Sequence, residues 1–192
     1  MFGVFAIVTL VSGNCPTKCY CSRYETLCSF AKLETLPTLL PNTTELLRIE
    51  LDNITQINTT IITNSRLQNL IRLELIKLNL RKIEPGAFQN MSLLKYLIII
   101  HNNITTLERD TFKYLENLYL LNLTDNQISN LESSAFSGLS NLKQLDLGNN
   151  DIRDIKANIF EGMKTTNTCD IIDIRFVRHI FSYYGAYQAR YA

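Results

Sequence analysis

The chain has no excess of charge of either sign and little histidine. Its 192 residues include 19 Lys or Arg, 18 Asp or Glu and 2 His, and the formal net charge at pH 7 is +1. A protein that binds nucleic acid by electrostatic attraction carries a basic stripe, so this composition argues against a nucleic-acid partner. The sequence also lacks a glycine-rich phosphate loop and a cluster of metal ligands, and we therefore expect no cofactor and no metal.

Long hydrophobic runs are absent as well, because no apolar run reaches the roughly 18 residues that a membrane-spanning helix requires. The apolar segment at residues 1–13, MFGVFAIVTLVSG, has the length of a secretory signal peptide and ends in small residues. No Lys or Arg precedes its apolar core, and a buried first strand is the alternative. The C-terminus has no hydrophobic tail for a lipid anchor. We therefore expect a secreted, extracellular chain without a membrane span.

Cysteine is concentrated near the start of the chain. Cys15, Cys19, Cys21 and Cys28 follow the spacing C-x3-C-x-C-x6-C, and Cys169 stands alone. A zinc site would show paired ligands such as C-x2-C, and no histidine is near these four. An even set behind a signal peptide indicates disulfides, and the spacing leaves three pairings open.

A regular repeat organises the segment from Leu94 to Met163. Three lines begin at Leu94, Leu118 and Leu142, which sets the period at 118 − 94 = 24. Each line has apolar residues at positions one, four, six and eleven, asparagine at nine and phenylalanine at nineteen. The L-x-x-L-x-L pattern predicts a short strand with its leucines inward, and stacked units bury the apolar side that one unit cannot cover.

Asparagine at the ninth position sits where each strand turns away. A buried amide needs partners for its two donors and its acceptor, so we expect the asparagines of successive turns and nearby backbone groups to form a ladder. The phenylalanines are expected to stack in a second column on the wider side of the coil. The two columns comprise Asn102, Asn126 and Asn150, and Phe88, Phe112, Phe136 and Phe160.

These lines resemble the leucine-rich repeat consensus in the form common outside the cell, and the cysteine stretch is similar to the N-terminal cap of that family, which also starts Cys-Pro. The resemblance implies the pairs Cys15–Cys21 and Cys19–Cys28. It also implies an α/β-type repeat solenoid, a horseshoe segment with a short parallel sheet on the concave face and a mostly irregular or 3-10 convex side. The expected units are a signal peptide at 1–13, a cap at 14–45, repeats at 46–69, 70–93, 94–117, 118–141 and 142–163, and an atypical tail at 164–192.

The first two repeats are degenerate. Leu46, Ile49 and Leu51 fit the strand pattern of the first, and its ninth position in that register is Ile54. The ninth position of the second repeat is also apolar, so we expect the amide ladder to begin at Asn102.

The tail allows one more strand in the same register. We predict it near Thr168 to Ile172, beside Leu145 to Leu147, with Cys169 as an unpaired inward thiol. The competing interpretation is disorder of everything after Met163, which would leave the last repeat's edge bare.

Positions three, five and seven leave the strands on the concave side, and they predict a contact surface. An apolar cluster with a polar rim is typical of such a surface, whereas strand propensity alone is the alternative explanation. We expect a protein ligand there. The predicted cluster comprises Ile76, Tyr96, Ile98, Ile100 and Leu120, and the charged residues placed beside it are Arg48, Glu50, Asp52, Arg72 and Glu74.

Six Asn-x-Ser/Thr sequons are expected to carry glycans if the chain is secreted. The sequon at the fifth position of the fourth repeat faces the same concave surface, where a glycan would cover one side of the cluster. The sequon asparagines are Asn42, Asn53, Asn58, Asn90, Asn103 and Asn122.

Nothing in the sequence indicates catalysis. His101 and Asp125 occupy the eighth positions of successive repeats and could pair, but the next unit offers Asn149 rather than a nucleophile. We therefore expect a secreted or cell-surface protein-recognition module that is not an enzyme. The alternative is a truncated ectodomain of a transmembrane leucine-rich-repeat receptor or adhesion protein. Neither the ligand nor the oligomeric state can be read from the sequence.

Overall fold

A computed structural model describes residues 15–37, 39–59, 66–155, 158–163 and 173–175. The predicted signal peptide and the predicted thiol at Cys169 lie outside these residues.

The architecture is a coil of stacked turns, each contributing one strand to a single eight-stranded sheet. The first two strands form an antiparallel hairpin, and every later pairing is parallel. The strands of this large sheet, in order, are β1 (Cys19–Cys21), β2 (Glu25–Ser29), β3 (Leu46–Glu50), β5 (Arg72–Ile76), β7 (Tyr96–Ile100), β9 (Leu120–Asn122), β11 (Gln144–Asp146) and β12 (Asp173–Arg175).

The return side of the coil has little regular structure. It carries two small parallel pairs and a 3-10 helix at Arg66–Asn69, and turns account for most of the remainder. The small pairs join β4 (Gln56–Ile57) to β6 (Lys82–Ile83), and β8 (Thr106–Leu107) to β10 (Asn130–Leu131). The predicted repeat solenoid, with a parallel sheet and a mostly irregular opposite side, is confirmed.

The repeat pattern sorts side chains between the core and the concave surface. On β7 the inward Leu97 and Ile99 have no exposed surface, whereas the alternate residues are half-buried. Because side chains alternate along a strand, one side of every turn is apolar and packs on the adjacent turns. The inward residues of the last three complete repeats are Leu97, Ile99, Leu121, Leu123, Leu145 and Leu147, all fully buried as predicted.

The phenylalanines form the predicted column on the return side. Phe88, Phe112 and Phe136 are fully buried, and Phe160 at the end is half-buried. The ring centroids are 6.0, 6.1 and 5.8 Å apart along the column, and the planes lie within 18° of parallel. Offset stacking of this kind favours one relative position of each turn on the next.

The asparagine ladder begins at Asn102, as predicted. The Oδ1 atom of Asn102 accepts the N–H groups of Leu78 and Leu80, and its Nδ2 donates to the carbonyls of Leu75 and Ile100. All four partners are backbone groups of the same or the preceding turn, so the expected amide-to-amide contact is not how the ladder forms. Asn126 and Asn150 make similar contacts one and two turns later: each accepts one N–H group of the preceding turn and donates to carbonyls of the same and the preceding turn.

The register predicted for the first repeat is wrong by two positions. Leu47 is level with Leu73, so the period of this repeat is 73 − 47 = 26 rather than 24. The inward residues are Leu47 and Ile49, and Leu51 lies beyond the strand with 39% of its surface exposed. Because this repeat is two residues longer, its strand residues lie two positions further along the repeat than the constant period predicts.

With this register, Asp52 takes the ninth position in place of Ile54. Its carboxylate accepts the N–H groups of Ala31 at 3.3 Å and Leu33 at 3.1 Å, just as Asn102 serves two N–H groups of its preceding turn. Asp52 is only 7% exposed, and it therefore belongs to the ladder and not to the concave surface where it was predicted.

A sixth repeat strand exists, but it lies later than predicted. β12 pairs with β11 so that Ile174, rather than Cys169, is level with Leu145, which gives a separation of 174 − 145 = 29. The predicted strand at residues 168–172 lies outside the described residues. The tail therefore adds a strand to the sheet after an insertion relative to the regular period.

Two disulfides hold the cap that covers the first turn. Cys15 bonds Cys21 with an S–S distance of 2.07 Å, and Cys19 bonds Cys28 at 2.03 Å, the pairing that the family resemblance implies. The second bond joins β1 to β2, and β2 then pairs in parallel with β3. The hairpin thus occupies the sheet edge that the first repeat would otherwise expose.

A residue one to three positions after the end of each of the strands β2, β3, β5, β7, β9 and β11 has a left-handed backbone, with φ between 50° and 58°. The N–H of this residue generally bonds a carbonyl of the next turn, such as Lys77 N–H to Ile100 at 3.2 Å. None of these residues is glycine, although this conformation costs other residues roughly 1–2 kcal/mol. The row, which we call the left-handed row, comprises Phe30, Leu51, Lys77, His101, Asp125 and Asn149.

Replacement of Phe136 by alanine should reduce the free energy of unfolding by roughly 3–5 kcal/mol, because a fully buried ring with stacked neighbours on both sides is lost. Phe160→Ala is the matched control and should cost less, since that ring is half-buried and has one described stacking neighbour. Urea unfolding followed by circular dichroism measures both. Equal losses would contradict the column as a stabilising feature.

Replacement of Asn102 by alanine should leave buried N–H groups without an acceptor, at a cost of roughly 1–3 kcal/mol for each. Asn117→Ala removes an amide that bonds the Ser92 carbonyl at an exposed site, and its effect should be within about 0.5 kcal/mol. Hydrogen exchange supplies a local measurement: the amides of Leu78 and Leu80 should lose protection in Asn102→Ala only.

Candidate functional site

The predicted apolar cluster is contiguous on the concave face of the sheet. Ile76 is level with Ile100 across β5 and β7, and Tyr96 is level with Leu120 across β7 and β9. Ile98 lies between Tyr96 and Ile100 on the same face of β7. All five side chains are half-buried, so each leaves part of its surface to solvent. We call these five residues the apolar patch.

Tyr119 extends the patch beyond the N-terminal end of β9, and sequence reasoning missed it. Its ring centroid lies 6.2 Å from that of Tyr96, and 45% of the residue is exposed. Tyr119 precedes β9, outside the alternating positions that were read as concave. Tyr119 occupies the same repeat position as Lys95, and the Lys95 carbonyl accepts the Tyr119 N–H. A tyrosine at the position next to Tyr96 in the following repeat was therefore the signal that could have found it.

A charged network adjoins the patch toward the N-terminal cap. Arg48 donates to Glu50 at 2.7 Å and to Glu74 at 3.3 Å, and Arg72 also donates to Glu74. The Glu74 side chain is only 8% exposed, and a carboxylate at that depth requires such partners. The Arg72 guanidinium lies 5.6 Å from the Tyr96 ring centroid, so a cation–π contact joins the network to the patch.

The register of the first repeat changes the composition of this surface. Arg48 is level with Glu74 rather than with Arg72, as the predicted rows had it, and Glu50 is level with Ile76. The pairing of unlike charges across β3 and β5 follows directly from the longer period of this repeat. Leu46 takes the place beside Arg72.

The cap contributes its own strand to the surface. Glu25, Leu27 and Ser29 leave β2 on the concave side, and the Ser29 hydroxyl donates to Glu50 at 2.9 Å. Together with the charged network they line an open groove of about 540 Å³. The position of Cys28, level with the inward Ile49, explains why the alternate residues of β2 face the groove.

The electrostatics of the groove centre on one ion pair. The hydrogen bond from Arg48, assisted by that from Ser29, holds the pKa of the Glu50 carboxyl below its ordinary value. The same hydrogen bond to Glu50 raises the pKa of Arg48. Both groups are therefore charged at neutral pH.

His101 and Asp125 are neighbours, as predicted. The His101 Nδ1 lies 3.5 Å from an Asp125 oxygen, and the other Asp125 oxygen accepts from Asn149 Nδ2 at 3.0 Å. All three belong to the left-handed row, whose backbone directs them to the rim of the concave sheet. Asn149 is an amide, and the three side chains form a polar contact at the rim.

The six sequons differ in their positions on the coil. Asn42, Asn53 and Asn90 are exposed, and the other three are half-buried. Asn122 is the one that lies within a strand of the large sheet. Its place beside the apolar patch agrees with the expectation from the repeat register.

Two further properties concern the described residues only. In that part of the chain, no helix is long and apolar enough to cross a membrane. No group of three or more His, Cys, Asp or Glu side chains among the same residues is placed to hold a metal ion.

Comparison with known proteins identifies the repeats. A family model described as leucine rich repeat matches residues 68–128 and 116–167, which together cover positions 68 to 167. The first repeat and the cap precede the matched region, in keeping with the irregular length of that repeat.

Among solved structures, a chain in the crystal structure of a TLR13–ssRNA13 complex is similar, with a TM-score of 0.68 and 24% sequence identity. The similarity covers 83% of this chain and 25% of that chain, so this chain spans about a quarter of the length of its neighbour. At this identity the comparison shows a shared fold.

The ion pair in the groove predicts a pH dependence. Because the folded-state pKa of Glu50 is depressed, its contribution to stability is present at neutral pH and is lost as the pH falls below about 4. In Arg48→Leu the Glu50 pKa should rise toward its ordinary value, and the stability difference between wild type and variant should shrink on acidification. Carboxyl NMR titration measures the shift.

Ser29→Ala is the control and should raise the Glu50 pKa less than Arg48→Leu does. A larger rise in Ser29→Ala would contradict Arg48 as the main cause of the depressed pKa.

Proposed function

Because the chain belongs to the leucine-rich repeat family, we propose that it is an extracellular recognition module that binds a protein ligand on its concave face. The observation that carries this proposal is the apolar patch, five half-buried side chains on three adjacent strands with a charged groove beside them. An apolar centre with a polar rim is the arrangement of protein interfaces.

The composition of the patch suits a protein partner. Tyr96, in contact with Arg72 on one side and Tyr119 on the other, resembles the aromatic and arginine anchors that dominate binding energies at interfaces. The sheet that presents these side chains is held by continuous backbone pairing, so little ordering is required when a ligand binds.

The charge of the concave face favours protein over nucleic acid. The outward residues of β2, β3, β5, β7, β9 and β11 include four acidic and two basic side chains, and both arginines are paired with glutamates. Nucleic-acid binding depends on Lys and Arg that neutralise phosphates. The similar TLR13 chain is in a complex with RNA, but this surface lacks the basic excess that such a ligand needs. The outward acidic residues are Glu25, Glu50, Glu74 and Asp146.

An extracellular location and a role without catalysis belong to the same proposal. Two disulfides in the cap favour an oxidising compartment, and the six sequons and the apolar segment at 1–13 agree with secretion. Recognition by a preformed surface requires no reactive group. The His101–Asp125 contact is explained as a polar pair on the rim.

A second candidate is that these turns are the first part of a longer receptor or adhesion ectodomain. The observation that favours it is the extent of the match, since the chain spans about a quarter of the TLR13 chain. The transcript distinguishes the two: a longer form that encodes a membrane-spanning helix would support the receptor. The concave surface would serve the same purpose in either case.

The substitution Ile98→Asp should weaken binding of the protein ligand strongly, because the complex would bury an unpaired charge at the centre of the patch. The measurement is a binding screen of the purified chain against individually displayed extracellular protein domains, followed by titration of each variant against any binder found. Single-stranded RNA oligonucleotides form a separate arm of the screen.

Ser129→Asp is the matched control, since it adds the same charge at an exposed position on a loop outside the large sheet. It should leave affinity unchanged. Circular dichroism and thermal unfolding confirm that both variants fold. Affinity that survives Ile98→Asp in a folded variant would place the site elsewhere, and salt-sensitive binding of RNA would overturn the choice of a protein ligand.

A further inference from the structure

Asn122 occupies an unusual place for a sequon. It lies on β9 with its side chain on the concave face, level with Ile98 of β7 and with Asp146 of β11. The other five sequon asparagines lie outside the strands of the large sheet. Adjacent strands are roughly 4.8 Å apart, so a group attached to Asn122 would stand directly beside the centre of the apolar patch.

The local geometry leaves the reactive atom available. The Asn122 Oδ1 accepts the N–H of Thr124 at 2.9 Å, which fixes the orientation of the amide within the sequon. Among the described residues, every buried side-chain nitrogen has a hydrogen-bond partner. No described residue accepts a hydrogen bond from the Asn122 Nδ2, so this atom is not one of the buried nitrogens. The Nδ2 atom of this half-buried residue therefore reaches solvent on the concave side.

We propose that Asn122 is an N-glycosylation site that divides the concave face and restricts the ligand to the N-terminal strands. In the transfer, Nδ2 forms a bond to the anomeric carbon of the sugar as that carbon's bond to a lipid-linked pyrophosphate donor breaks. The Nδ2 proton and the lipid pyrophosphate are released. The attached glycan covers Leu120 and narrows access to Ile98 from the C-terminal side, so that a ligand reaches Ile98 from the N-terminal strands.

The remaining surface then defines what a ligand can contact. The charged groove on β2, β3 and β5 and the N-terminal half of the patch stay open, because the five other sequons are not on these strands. The ligand is accordingly a protein segment that places apolar residues on Ile76 and Ile100 and polar residues along the Arg48 side. This choice of ligand contacts rests on the proposed function, whereas the modification of Asn122 does not depend on it.

The first experiment measures occupancy. The protein is secreted from cells that attach N-glycans, and the peptide containing Asn122 is examined by mass spectrometry after enzymatic deglycosylation in heavy-oxygen water. We expect conversion of Asn122 to labelled aspartate in wild type and in Thr124→Ser, and loss of it in Thr124→Ala. An unmodified Asn122 in protein that carries glycans at the exposed Asn42 and Asn53 would overturn the proposal.

The second experiment measures shielding without any ligand. Ile98→Cys, made in a Cys169→Ser background, is labelled with a maleimide-bearing polymer, with and without Asn122→Gln. The labelling rate should rise several-fold when the glycan is absent. Ser29→Cys, on β2 at the far side of the groove, should label at the same rate in both backgrounds. If Ile98→Cys does not fold, Ile100→Cys replaces it.

Equal labelling of the Ile98→Cys thiol in both backgrounds would overturn the shielding. This outcome is independent of the binding screen, because no ligand enters the measurement. Conversely, a glycan that shields Ile98 while Ile76→Asp leaves ligand affinity unchanged would overturn the proposed function and retain the modification site, because Ile76 stays open to the ligand.

Discussion

The structure depends on the fact that no single turn can cover its own apolar side. Leu97, Leu121 and Leu145 are each buried only because a turn lies above and below them. The contacts are therefore between neighbours, and stability is close to a sum of terms for single turns and their interfaces. At the two ends of the sheet, the cap hairpin pairs with β3 and β12 pairs with β11, so neither of these repeat strands is left as an edge.

Stacking turns in this way also buries backbone groups where each strand ends, and these groups require partners. Asn102, Asn126 and Asn150 provide them with a carboxamide that both donates and accepts. Asp52 serves the cap with a carboxylate, which accepts two N–H groups. Leu78 is apolar at the ninth position of the second repeat, and Asn102 of the next turn accepts its N–H group.

The sequence was sufficient to predict the features that follow from a fixed period. The inward leucines, the phenylalanine column, the start of the amide ladder and the lateral placement of the apolar patch all depend on a constant separation between successive repeats. The register predicted for the first repeat was wrong because Leu46, Ile49 and Leu51 satisfy the strand pattern locally. A slip of two positions keeps Ile49 inward, and only pairing with the next strand identifies the error. The same limit explains the late sixth strand, where an insertion moves Ile174 into register. The charged network was missed as a network because the correct neighbours of Arg48 depend on that register.

The left-handed row shows that the bend after each strand is independent of the side chain that occupies it. Phe30 and Asn149 differ in size and polarity, yet their φ values are 50° and 51°. The backbone pairing between turns fixes this conformation, so the identity of the residue is left to be chosen on other grounds. The rim of the sheet therefore amounts to a linear array of display positions at the spacing of adjacent strands. A protein engineer could diversify such an array into a library of binding surfaces while the coil beneath it stays constant.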